Sequence, residues 1–212
     1  MRVACLAAGL LLASTAAFAQ TFMDAVAGGS AQQVLAAIKA GGNPRETMTG
    51  GVTPLMVAAA RNHDPGVITV LLAAGAGTGE RDSMGDTPLM YAARFNPAIA
   101  PLQALVAAGA GVADGDALGM TALMYAAQYN PNPDVTRALL AVGAPVDQKD
   151  PFGITALMLA ARFTANPAVV TVLLDAGADR NARSSGGLRA ADFGLTNEHM
   201  KGSPASAALS KP

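Results

Sequence analysis

The side chains able to do chemistry are few, and most of them recur at one interval. The 212-residue chain holds two histidines, His63 and His199, and a single cysteine, Cys5. His63 reads as a loop residue and His199 as part of the tail, and such residues are more often solvated than general bases, which need a partner within hydrogen-bond reach. No G-x-S-x-G, H-E-x-x-H or S-x-x-K arrangement occurs. Gly75-Ala76-Gly77-Thr78-Gly79 has the look of a phosphate loop, yet it follows a helical pattern, whereas the dinucleotide fingerprint leaves a strand and opens a helix. Asp82, Asp116 and Asp150 each begin a D-x-x-G turn, in which Asp bonds its own backbone and Gly supplies positive φ. Met56, Met90, Met124 and Met158 invite a copper reading, since thioether sulfur is a soft ligand. Equivalent positions on neighbouring helices lie about 8–10 Å apart, too far for one small ion, so the methionines read as core filling. The expectation is a chain with no catalytic residue, no metal and no cofactor.

The interval itself sets the architecture. Segments TPLMVAAARN, TPLMYAARFN, TALMYAAQYN and TALMLAARFT begin at Thr53, Thr87, Thr121 and Thr155, each 34 residues after the last. A Thr ahead of Pro54 or Pro88 is a helix start, because its hydroxyl accepts from an early N–H and Pro has none to leave unpaired. Each first helix carries a core Leu and a small Ala-Ala pair and is expected to stop at Asn62, Asn96, Asn130 or Thr164, with Asn supplying a left-handed end. A second helix opens at Asp64-Pro65, Asn132-Pro133 or Asn166-Pro167, and at a less marked start near Ala98-Ile99. It ends at Gly75, Gly109, Gly143 or Gly177.

Composition narrows the class. Half of the residues are apolar (51%), which excludes a mainly disordered chain, and a formal net charge of −1 leaves no basic footprint for nucleic acid. Met1-Arg2, an apolar run from Val3 and Ala17-Phe18-Ala19 follow the plan of a secretory signal peptide cleaved after residue 19. The run is shorter than the roughly 20 residues of a membrane span, and no later stretch would cross a bilayer. Cys5 falls within that segment, so the mature chain has no disulfide or thiolate site.

The pattern G-x-T-P-L-M-x-A-A followed by V-x-x-L-L-x-x-G-A resembles the ankyrin repeat, whose usual period is about 33 residues. The extra residue falls in the inter-helix loop, as in YNPNPDV at 129–135, and Met stands where the family usually has His after T-P-L. The resemblance implies an all-α ankyrin-repeat solenoid of stacked helix-turn-helix units joined by β-hairpin-like loops. The expected division is a signal peptide at 1–19, a repeat domain at 20–198 with units near 20–50, 51–84, 85–118, 119–152, 153–186 and a cap at 187–198, and a flexible tail at 199–212.

In ankyrin proteins the hairpin tips and the exposed sides of the first helices form a concave face that binds a partner protein, and the resemblance implies the same here. On this sequence the tips supply Met84, Asp86, Leu118, Met120, Phe152 and Ile154, and a row of apolar tips would form a patch that needs covering. The helices supply Arg61, Arg94, Phe95, Gln128, Tyr129, Arg162 and Phe163. Arg and aromatic residues dominate interface hot spots. The rings at 95, 129 and 163 have a second reading, in which each covers its own long inter-helix loop. The expected function is therefore a non-enzymatic, monomeric protein-binding module in the periplasm, with no nucleic-acid partner and no membrane span after cleavage. The alternative is a secreted effector or inhibitor acting on a protein of another cell.

Overall fold

The computed structural model describes residues 21–210. The expected signal peptide, Cys5 included, lies outside these residues. Helices come in pairs. α1 runs through residues 21–28 and α2 is Ala31–Lys39; then follow α3 (Pro54–Arg61) and α4 (Pro65–Ala73), α5 (Pro88–Phe95) and α6 (Ile99–Ala107). The series continues with α7 (Ala122–Tyr129) and α8 (Pro133–Ala141), α9 (Ala156–Phe163) and α10 (Ala168–Asp175), and finally α11 (Ala190–Gly194) and α12 (Pro204–Leu209). Among the described residues no strand forms, and the one isolated bridge joins Gly115 to Thr121. The first helices α3, α5, α7, α9 and α11 stack in one row, and the second helices α2, α4, α6, α8, α10 and α12 stack in another.

Local chemistry explains the pairs. The Thr53 and Thr87 hydroxyls accept from the Met56 and Met90 N–H groups at 3.3 and 3.4 Å, with Pro at the first helical position. The thioether completes the cap from the other side: the N–H of Thr53 donates to Met56 Sδ at 3.4 Å, and that of Thr87 to Met90 Sδ at 3.3 Å. All four methionines of the series are fully buried, so they fill the core as expected. The second helices end at Gly75, Gly109, Gly143 and Gly177 with φ of +95°, +88°, +88° and +89°, a conformation that a Cβ would strain.

The asparagines at the first-helix ends differ from expectation. Asn62, Asn96 and Asn130 are extended rather than left-handed, with φ between −92° and −100°. Each reaches back to the preceding unit. Asn96 Nδ2 donates to the carbonyls of Ala59 (3.0 Å) and Asn62 (2.9 Å), and Asn130 Nδ2 to those of Ala93 and Asn96. Asn62 does the same to Val26 and Gly29, and Asn197 to Ala161 and Thr164. The result is a buried amide ladder along the stack, interrupted at Thr164.

The chain end also differs. Residues 199–210 are not a loose tail: Glu198–Met200 forms a 3-10 turn and α12 follows, with Met200, Ala205 and Leu209 in the core. The Ser203 hydroxyl caps α12 by accepting from the Ser206 N–H, and Pro204 takes the first helical position. The last unit is thus a shortened pair that covers the apolar flank of α9 and α10, and the cap extends past residue 198.

Candidate partner-binding face

Each unit presents the same register positions to one open face. The D-x-x-G turn sets the hairpin tip: Asp82 Oδ1 accepts from the N–H groups of Met84 and Asp86, Asp116 from those of Leu118 and Met120, and Asp150 from those of Phe152 and Ile154. This pins every turn and pushes the third residue of each outward. Met84, Leu118 and Phe152 stand 55%, 55% and 66% exposed, one repeat apart. Neighbouring tips are tied together, since Ser83 N–H donates to Gly50 O (2.7 Å), Ala117 N–H to Met84 O (3.0 Å) and Ser185 N–H to Phe152 O (2.8 Å).

The last turn of each first helix supplies a second row. Phe95, Tyr129 and Phe163 are 53%, 48% and 46% exposed. What covers them is local: Phe95 packs on Tyr91 at 5.9 Å between ring centroids, and Tyr129 stacks on Tyr125 at 6.2 Å. Arg61 and Arg162 are exposed, while Arg94 and Gln128 are half-buried. Between the first two helices of the row, Val57, Ala60, Arg61, Tyr91 and Phe95 line an open hollow of about 470 Å³.

Three expected surface residues lie deeper than a tip. Behind the tips Met120 and Ile154 pack on the core and are half-buried, and Asp86 at the equivalent position is buried. Asp86 is the anomaly of that row, a carboxylate where the other units carry Val52, Met120 and Ile154, and its Oδ1 has no hydrogen-bond partner. Burial raises its pKa above the ordinary value of 3.8; the nearby Tyr125 hydroxyl opposes this, and the charges of Asp82 and Asp116 add to it.

The sequence reading passed over Tyr91 and Tyr125. Their hydroxyls donate to Asp82 Oδ2 at 2.8 Å and Asp116 Oδ2 at 2.7 Å, locking helix to hairpin. Burial, followed by these carboxylate partners, holds both phenols protonated well above the usual 10.0. Their spacing of 34 with Val57, Leu159 and Phe193 was the available signal.

Asp82 and Asp116 each accept from two N–H groups and a phenol and Asp150 from two N–H groups, and among the described residues no group of three or more His, Cys, Asp or Glu side chains is placed to hold a metal ion. A family model described as ankyrin repeats (3 copies) matches residues 22–102 and 98–184. The chain belongs to the ankyrin-repeat family. No curated protein matches it. As an ankyrin-repeat protein it is a protein–protein interaction module, built as an all-helical solenoid. No helix among the described residues is long and apolar enough to cross a membrane.

Proposed function

We propose that this ankyrin protein is an exported, monomeric, non-enzymatic module that holds one partner protein of the periplasm on its open face. The observation that carries this reading is the pair of exposed rows, Met84, Leu118 and Phe152 at the tips and Phe95, Tyr129 and Phe163 on the helices. Large apolar side chains exposed in register over three units form a patch that solution leaves uncovered and a partner would bury. Arg61, Arg94, Gln128 and Arg162 border it, and Met120 and Ile154 support it from behind. Export rests on the pattern of residues 1–19.

The test is capture from a cell-envelope extract with the chain from residue 20 onward as bait, comparing wild type with Phe152→Asp. A partner retained by the first and lost by the second, at unchanged thermal stability, supports the face. Retention by both refutes it. Fractionating cells, periplasm and medium places the protein; recovery from the medium favours the secreted alternative.

A further inference from the structure

The open face holds two arginines whose side chains form no ion pair among the described residues, although the buried Asp86 lies near enough for its charge to act on Arg94. Arg94 Cζ sits 4.4 Å from the ring centroid of Tyr129, 4.8 Å from that of Phe95 and 5.2 Å from that of Tyr125. Two units on, Arg162 Cζ lies 5.0 Å from the Phe163 centroid and 5.9 Å from that of Phe193. Neither arginine side chain takes part in an ion pair or a hydrogen bond among the described residues, and Arg94 Nε is buried without an acceptor.

Ring contact occupies the flat side of a guanidinium and leaves its N–H edge directed elsewhere, ready for a planar, bidentate acceptor. It also restrains the side chain before any partner arrives, which lowers the ordering cost of binding. The carboxylates nearest Arg94 do not supply the acceptor. Asp82 and Asp116 already receive two N–H bonds and a phenol O–H each, and Asp86 is buried. The face therefore offers guanidinium donors beside apolar rows, while Asp82 and Asp116 are satisfied and Asp86 is buried out of reach of a partner.

We propose that this face docks an acidic protein segment, with one carboxylate on Arg94, a second on Arg162, and apolar side chains between them on the exposed rings and tips. The proposal rests on the protein-binding reading above and names the partner's chemistry. Two stacking steps of about 8–10 Å separate the arginines, so an extended segment at about 3.3 Å per residue places its two acids roughly five or six residues apart.

The probe is a random dodecapeptide display library selected on the immobilised chain from residue 20 onward. Enrichment of Asp or Glu at that separation, with Leu or Phe between, is expected. A synthetic enriched peptide should bind at least about tenfold more weakly to Arg94→Gln and to Arg162→Gln, as loss of a charge-assisted pair requires. Arg94→Lys, which keeps charge but not the fork, should rescue only in part, and binding should fall near 1 M salt, where screening acts within about 3 Å. Arg162 is exposed, so its variant keeps the test open if Arg94→Gln is poorly folded.

Peptides without acidic enrichment, or indifferent to both Gln variants, overturn the proposal. If Phe152→Asp still abolishes their binding, the face stands and only the acidic segment falls; if it too has no effect, both fall. A dimer in sedimentation equilibrium that Arg94→Gln dissociates would overturn it in favour of a second copy. A single-stranded oligonucleotide that outcompetes the peptide would overturn it in favour of phosphate.

Discussion

Removing one rung of the amide ladder should cost far more than an ordinary helix-end substitution. Asn96 is fully buried and makes three hydrogen bonds: Nδ2 to the carbonyls of Ala59 and Asn62 at 3.0 and 2.9 Å, and Oδ1 from the Ala98 N–H at 3.0 Å. Asn96→Ala loses all three, each contributing about 1 kcal/mol net, and leaves three backbone groups without this partner where water enters poorly. The expected loss is about 3–5 kcal/mol, a large share of the 5–15 kcal/mol that holds a domain of this size. At position 164 the ladder has a natural gap, because the Thr164 hydroxyl turns to its own loop, donating to Asn166 O at 3.0 Å. Thr164→Asn should therefore stabilise by about 1–2 kcal/mol by restoring the reach to the preceding unit. Urea unfolding followed by circular dichroism measures both. A loss below about 1 kcal/mol for Asn96→Ala would refute the reasoning, since it would reduce the ladder to a by-product of close packing.

Thr136 is buried with an unpartnered hydroxyl at the register position where other units carry Ile68, Leu102 and Val170, so Thr136→Val should raise stability by about 1 kcal/mol in a thermal melt. Asp86, whose folded-state pKa is raised, favours the fold most fully below its ordinary value of 3.8, and this contribution is lost as pH rises through the higher folded value. The stability of Asp86→Asn relative to wild type should accordingly grow from acid toward neutral pH; a difference flat with pH would contradict the burial argument. Leu209→Ala should lose about 2–4 kcal/mol, where a loose tail would give almost nothing.

What the sequence made legible was what is local. Thr-Pro starts, glycine ends and the D-x-x-G turns each act within a few residues, so their chemistry could be read in place, and the interval of 34 then stacked them. Asn96 misled because its local propensity speaks for a left-handed helix end, while its hydrogen-bond partners lie 34 and 37 residues upstream. Met56 and Met90 were legible as core but not as acceptors, since thioether sulfur is a weak acceptor and packing decides whether it meets an N–H. Asp86 was placed on the open face by the family's hairpin register, with Met120 and Ile154, whereas in the structure it is buried and they are half-buried. The α12 helix was overlooked despite a readable signature, Ser203 followed by Pro204, because the surrounding residues are small and the helix lasts under two turns. The binding face was legible as a list of positions; that Arg94 lies among three rings follows only from the juxtaposition of two units.

The two substitutions that interrupt the pattern fall at the same junction. Pro151 has no N–H, so the tip-to-tip bond made by Ser83, Ala117 and Ser185 is missing toward Leu118, and Thr164 leaves out the amide rung between α7 and α9. Adhesion across that plane then relies on apolar packing and on peripheral reaches such as Asn166 Nδ2 to Pro131 O at 2.9 Å. A rod glued unevenly splits where the glue is thinnest. Under load or in mild denaturant the molecule should part there into a longer leading block and a shorter trailing one, and amide exchange should quicken first in the trailing block.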